Sequence, residues 1–370
     1  MKRAILIACV LLAAVGCGRV AANRAWEALP LGTKADFDDV WFADALHGWI
    51  AGGSYEITGG LIGRTSDGGR TWRFVSNLTK REGMSVQAIH FFDTDHGIAV
   101  TGSGTILETM DGGASWTPAA RQGRVAGLSS LFFLDERRGW AAGTGHVIRT
   151  EDAGDNWIAA EPESTDTTYR SPIRAMQFID DRIGWVAGMQ SYLARTGDGG
   201  ATWEAAATPI TGSERPNFWD VSFADTQTGW VVGEEGTMLS TADGGLTWTL
   251  RSTGLKDAHS APKLERIPTA RGSTVIDAGD RTPGFTISAI RFIDRNRGWI
   301  TGFYPNFGRS LILRTEDAGA TWLVDADIAG EELRALYIQG HDTAWAIGSR
   351  TREGPQAIYR RTLSSIQSAR

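Results

Sequence analysis

The sequence predicts an all-β protein: a seven-bladed β-propeller of four-stranded blades, with an N-terminal strand completing the last blade. Three observations carry this expectation. The chain repeats itself with a period of about 45 residues. Each repeat reads as four short strands separated by turn residues. Most of the 15 tryptophans and many of the 46 glycines in the 370 residues recur at fixed places in the repeat. Composition agrees, since 42% hydrophobic and 22% charged residues exclude a disordered chain or a coiled coil. Beyond the first residues, no long segment shows the 3.6-residue period of a helix.

The N-terminus reads as a targeting segment. Lys2 and Arg3 precede the apolar run Ala4 to Val15, which is too short to span a bilayer. It ends in Ala14-Val15-Gly16-Cys17, which resembles the bacterial lipoprotein cleavage box. Residues 1–17 are therefore expected to be a lipoprotein signal peptide and Cys17 the lipidated first residue of an exported chain. That chain would be anchored in the cell envelope on a periplasmic or lumen-like side, with 18–24 as a tether. An ordinary signal peptide cut near Gly16 is the alternative. Cys9, the other cysteine, lies within the removed segment. The mature chain would then have no disulfide and depend on packing for stability.

The propeller is expected over 25–363, with a C-terminal tail at 364–370. One motif is Gly-Trp-x-x-Gly, at Gly48-Trp49, Gly139-Trp140, Gly184-Trp185, Gly229-Trp230 and Gly298-Trp299. Gly97-Ile98 and Ala344-Trp345 are weaker copies, making seven. A second motif runs from an Asp to a Trp: Asp67 to Trp72, Asp111 to Trp116, Asp152 to Trp157, Asp198 to Trp203, Asp243 to Trp248 and Asp317 to Trp322. One period before Trp72 stands Trp26, in a segment like that around Trp203, whereas one period after Trp322 there is no such box. Trp26 therefore marks the missing outer strand of blade seven, and pairing the chain ends would close the ring without a free edge. Only Trp41 and Trp219 fall outside these motifs.

The second motif is the Asp box, known from sialidases and from propellers without enzymatic activity. Its Asp is suited to accept hydrogen bonds from turn amides, its glycines to positive φ, and its Trp to pack beneath the turn. A structural role is expected for these aspartates rather than acid catalysis or calcium binding. Asp93-Thr-Asp95 resembles a calcium loop superficially but lacks the closing Glu. The six histidines are scattered, and no metal site or cofactor is expected.

Function should lie where the blades differ. One first-strand position is filled by Trp41, His90, Phe132, Gln177, Ser222, Arg291 and Tyr337, which either line a central channel or vary with packing between unequal blades. Three connections between second and third strands are long: Gly52 to Gly60, Gly302 to Ser310 and Gly348 to Gln356. The last two hold Tyr304, Asn306, Phe307, Arg309, Arg350 and Arg352, and blades six and seven adjoin. These six residues form the candidate interaction face, as aromatic residues and Arg are common interface anchors. An insertion at about 251–286 separates blades five and six and reads as a partner-binding flap.

The run from Gly229-Trp230 through Trp248, like that from Gly97 through Trp116, resembles the photosystem II stability/assembly factor family and its relatives in non-photosynthetic bacteria. The resemblance covers nearly the whole mature chain. It implies a seven-bladed propeller that binds newly made membrane subunits during complex assembly.

The formal charge of −6 speaks against nucleic acid as a partner. No serine-hydrolase elbow, zinc-protease helix, P-loop or dinucleotide fingerprint occurs. Arg266-Ile-Pro268 follows the fifth box, whereas the sialidase element precedes the first. The expectation is a monomeric, membrane-tethered, non-catalytic propeller that binds protein partners and assists assembly of an envelope or membrane complex. A secreted Asp-box glycoside hydrolase and a glycan-binding propeller are the alternatives.

Overall fold

The computed structural model describes residues 26–54, 57–75, 78, 85–119, 127–159, 172–210, 215–254, 284–305, 307–340, 343–350 and 356–362. Cys17, the tether, the core of the expected insertion and the C-terminal tail lie outside them.

Seven four-stranded antiparallel sheets form the blades, and the seven-bladed expectation is borne out. Blade one runs through Asp36–Phe42, Gly48–Ser54, Ile57–Thr65 and Arg73–Val75. Blades two to six follow the same order, opening on Val86–Phe91, Leu128–Phe133, Ile173–Phe178, Phe218–Phe223 and Thr286–Phe292. Blade seven takes Glu331–Gln339, Thr343–Arg350 and Ala357–Thr362 from the C-terminal end. Its outer strand is Glu27–Pro30, antiparallel to Ala357–Thr362 with Glu27 opposite Arg360 and Pro30 opposite Ala357.

The Gly-Trp motif follows from packing between blades. Its glycine pairs across the ladder with the last residue of the first strand, as in Phe42↔Gly48, Phe178↔Gly184 and Phe292↔Gly298. In six blades that residue is Phe, and a Cβ on the glycine would stand 2.3 to 2.8 Å from its ring. Blade seven pairs Ile338 with Ala344, and the smaller Ile accompanies the loss of Gly. The motif's Trp then lies flat on the Phe of the next blade. Such stacks, with centroids 3.4 to 3.8 Å apart, join Trp49 to Phe91, Trp140 to Phe178, Trp185 to Phe223, Trp230 to Phe292 and Trp345 to Phe42. The same Phe meets its own blade's box Trp edge-on, at 5.8 to 6.4 Å. Burying such a tryptophan is worth about 3–5 kcal/mol against alanine. A ring of these contacts supplies cohesion without any disulfide.

The Asp boxes are turns built by local hydrogen bonds. Asp111 Oδ1 accepts from the Thr109 hydroxyl and the Ser115 N–H, and its Oδ2 from the Ser115 hydroxyl. The Ser115 bonds lead in holding its carboxyl at about 2. Asp67, Asp152, Asp198, Asp243 and Asp317 repeat the pattern, with Asn156 supplying a side-chain amide in the third box. Three of the boxes also serve the preceding blade, since Trp49, Trp140 and Trp185 donate their indole N–H to Gly112, Gly199 and Gly244 O of the following blade. Asp93 belongs to a different recurrent turn, in which its Oδ1 accepts the N–H groups of Asp95 and His96. Asp44, Asp135, Asp180, Asp225 and Asp294 do the same in their blades.

The closing seam has a polar lock. The Trp26 indole N–H donates to Asp325 Oδ2 at 2.8 Å, and Asp325 also pairs with Arg314 and Arg361. Asp325 belongs to the outer strand of blade six, Leu323–Ala329, so one buried carboxylate ties blade six to both chain ends in blade seven. The Trp26 ring packs on the cluster holding Trp299 and Ile338, where the box Trp of an ordinary blade would meet Phe.

Candidate functional site

The first strands line a central channel of about 300 Å³. Each carries a β-bulge near its start, visible as a register shift between Phe37 and Asp39 and at the matching place in the other six blades. A bulge leaves one residue unpaired and re-aims it. The seven bulged residues are Asp38, Gln87, Ser129, Arg174, Trp219, Ser288 and Arg334, and all line the channel. Because each stands early in the inner strand, they ring the mouth on the face where the blade-connecting loops lie.

Neighbours in this ring interact across blades. Arg334 Nη1 donates to Asp38 Oδ1 at 2.9 Å, and Gln87 Nε2 to Asp38 Oδ2 at 3.2 Å. Burial nevertheless raises the Asp38 pKa, against the pull of Arg334. Ser129 Oγ donates to Ile173 O at 2.5 Å and Ser288 Oγ to Leu333 O at 2.6 Å. The Arg174 guanidinium carbon lies 5.3 Å from the centroid of the Trp219 ring. One residue further along, Asp39 and Asp220 are buried carboxylates that accept backbone N–H groups of the next blade, from Ile89 and Ile290. Burial pushes Asp39 up to about 7, while the Asp220 pKa, also raised by burial, is opposed chiefly by Arg291.

The position singled out in the sequence forms the next level. Trp41, Phe132, Gln177, Ser222, Arg291 and Tyr337 line the channel. His90 lies against Trp41, 4.2 Å between centroids, and burial drives its pKa down to about 3. Several of these side chains also join blades: Tyr337 Oη donates to Phe42 O, Gln177 Oε1 accepts the Phe223 N–H, and Ser222 Oγ accepts the Phe292 N–H. Channel lining and inter-blade packing are thus combined in the same residues.

The bulged ring was missed in the sequence because strict alternation would turn those side chains elsewhere. Its signal was available: aligning the first strands by repeat gives a column three residues before the chosen one, and it contains no aliphatic residue.

Of the candidate face on blades six and seven, the described residues Tyr304 and Arg309 lie within the sheet rather than in an open loop. The connection expected as a long loop is strand for most of its length, with Tyr304 paired to Arg309 in the ladder. Tyr304 is only 3% exposed and packs on Phe285 at 4.8 Å. Arg309 is engaged by Asp327 through two bonds, 2.6 and 2.5 Å. Phe307, at 50% exposure, projects from the turn. Arg350 closes its strand opposite Glu331, while Asn306 and Arg352 lie outside the described residues. Among the described residues, no group of three or more His, Cys, Asp or Glu side chains could hold a metal ion.

The sequence profile of the family described as photosynthesis system II assembly factor YCF48 matches at 77–167, 160–248 and 210–270, which together take in more than half of the chain. The chain belongs to this family. A curated relative, the photosystem II assembly lipoprotein Ycf48 of Synechococcus sp. (strain CC9902), is 29% identical over 143 residues. That match spans 38% of this chain and 41% of the relative. Among solved structures, YCF48 bound to D1 peptide superposes with a TM-score of 0.66 at 19% identity, covering 92% of this chain and 96% of that one. YCF48 from Cyanidioschyzon merolae gives 0.63 at 18% identity, over 91% and 98%. The RRP9 WD40 repeats reach 0.67 at 10% identity, so these superpositions speak for the fold alone.

Proposed function

We propose that this protein is an exported, lipid-anchored assembly factor that binds an extended segment of a client membrane protein and catalyses no reaction. The propeller of about 25–363 is the binding unit, Cys17 the anchor and 18–24 the tether. The client is held on the face where the blade-connecting loops surround the channel mouth, with the chain acting as a monomer.

Membership of the YCF48 family supports an assembly role, and the relative's description as a lipoprotein supports the anchor. The observation that carries the placement is the ring of seven bulged, chemically unequal side chains at the mouth. The D1 peptide in the related YCF48 structure makes D1 the first client to test. The exposed Phe307 adds an apolar contact beside the ring in this reading.

Glycoside hydrolysis has less support. Two carboxyls must face the scissile bond at defined separations. Of the channel carboxylates, Asp38 and Asp220 are committed to arginines and Asp39 to two backbone amides.

Crosslinking and affinity capture from native membranes test the proposal. A defined membrane subunit should be recovered, and recovery should fall when Trp219 is replaced by Ala. Equal recovery from that variant would sink the placement at the mouth. Release of Cys17→Ser from membranes would support the anchor, and unchanged membrane partitioning would refute it. A panel of sialosides and plant or bacterial glycans should show no turnover.

A further inference from the structure

The charges lining the channel do not cancel one by one. They comprise Asp38, Asp39 and Asp220 against Arg174, Arg291 and Arg334. Arg334 pairs with Asp38 and Arg291 with Asp220. The third carboxylate does not reach the third arginine: Asp39 accepts the N–H groups of Val40 at 2.8 Å and Ile89 at 2.9 Å. Arg174 is left with no carboxylate within ion-pair distance among the described residues.

What surrounds Arg174 keeps it in this condition. Its Nε is buried without a hydrogen-bond partner, and its Nη2 reaches only the Met189 sulfur at 3.9 Å. Thioether sulfur is a weak acceptor, and arginine does not escape the cost of burial by losing its proton. The Trp219 ring supports the guanidinium by a cation–π contact, which leaves its in-plane donors unspent.

The surrounding backbone is strained. Gln190 and Ser191, directly after Met189, both adopt left-handed conformations with φ of 56° and 58°. Two consecutive residues there, neither of them glycine, store energy that the surroundings must hold in place. The Asn217 side-chain oxygen accepts the Gln190 N–H, and Pro216 O accepts both the N–H and the hydroxyl of Ser191. Those anchors stand two and three residues before Trp219, so the strained turn ties the segment of Met189 to that of Trp219, the two side chains next to Arg174.

We propose that Arg174 and Trp219 form a carboxylate-binding site at the channel mouth, and that the carboxylate is presented by an extended peptide segment. A planar guanidinium with unspent donors matches a carboxylate in two-point geometry. The indole adds a flat surface for the neighbouring peptide unit. The channel, about 300 Å³, is at the small end of ligand sites and suits one acidic side chain or chain end rather than a folded element. This deepens the client-binding reading and rests on it for the source of the carboxylate.

The test uses the full chain and trifluoroacetate as a carboxylate probe, followed by fluorine magnetic resonance. Wild type should show saturable binding that weakens at least tenfold in Arg174→Gln. Arg174→Lys, which keeps the charge and loses the fork, should show an intermediate loss. Circular dichroism establishes that each variant is folded. Saturable binding unchanged in Arg174→Gln, or absent from wild type, overturns the site.

Competition distinguishes the sources. Pentaalanine with a free C-terminus, or a capped Ala-Ala-Glu-Ala-Ala, should displace the probe at least tenfold better than acetate. Capped pentaalanine amide should not displace it. If acetate competes as well as both acidic peptides, the site takes small carboxylates and the peptide source is overturned. Affinity capture with Arg174→Gln separates this from the broader reading. Full recovery of the membrane partner alongside lost probe binding would place the client elsewhere on the ring while the carboxylate site stands.

Discussion

Replacing Trp26 by alanine tests how the ring is closed. Two things are lost: the ring's packing on the cluster around Trp299 and Ile338, and the N–H bond to Asp325. A fully buried tryptophan costs about 3–5 kcal/mol on truncation, and Trp26 is half-buried, so packing accounts for about 2 kcal/mol. A hydrogen bond to a charged group contributes about 1.5–3 kcal/mol, and the lower end applies because Asp325 keeps Arg314 and Arg361. The total is about 3.5 kcal/mol. At about 2.1 cal/mol/K per residue, a 370-residue chain has an unfolding entropy near 0.8 kcal/mol/K, so the melting temperature should fall by about 4 °C. The local effect should be larger, because only the four-residue strand Glu27–Pro30 covers that edge of blade seven. Hydrogen exchange in Glu27–Pro30 and Ala357–Thr362 should accelerate about 300-fold. Trp26→Phe should lose about half as much stability, while Trp203→Ala in blade four should destabilise without selectively opening the seam. Wild-type exchange at both strands and an unmoved melting temperature in Trp26→Ala would refute the lock.

Three other outcomes follow from the same contacts. Ala153 and Ala318 stand at left-handed positions where four of the six boxes have glycine, with φ of 63° and 60°. Ala153→Gly and Ala318→Gly should each stabilise by about 0.5–1 kcal/mol in denaturant titration, strain relief outweighing the added backbone entropy; destabilisation by either would contradict the strain. Gly184→Ala would place a Cβ 2.5 Å from the Phe178 ring and should cost at least about 1–3 kcal/mol, with Phe178→Ile restoring part of the loss as blade seven does naturally. No gain from the second change would argue against the coupled pair. Asp67, Asp111, Asp135 and Asp243 titrate at about 2 when folded, below their ordinary 3.8. Their stabilising contribution is complete above the ordinary value and lost as pH falls toward 2, so the melting temperature should drop between pH 4 and pH 2. A flat profile there would show that these bonds do not favour the ionised forms.

What was legible in the sequence was local. An Asp box is closed within a few residues, by bonds such as Ser115 to Asp111, so its chemistry appears as a short motif. The Gly-Trp motif was legible too, although its cause became visible only in the ladder, where Phe faces Gly and the next blade's Phe receives the Trp. Tyr304 and Arg309 of the candidate face were less legible for a related reason. Gly302 reads as the end of a strand, yet the pairing continues to Tyr304 and Arg309, which buries the first and gives the second a cross-strand partner.

The amino-acid sequence by itself determined the propeller, its blade number and the pairing of its two ends, because each repeat carries its own turn chemistry and aromatic anchors. The tertiary structure alone decided which side chains face the channel and which charge there stays uncompensated. One extra residue per inner strand re-aims seven side chains at the mouth, and no period-two pattern reveals a bulge. The partners that neutralise Asp38 and Asp220 stand 296 and 71 residues away, the first brought close by closure of the ring and the second by the packing of blade six on blade five. Arg174 differs from Arg334 and Arg291 in what the fold places beside it.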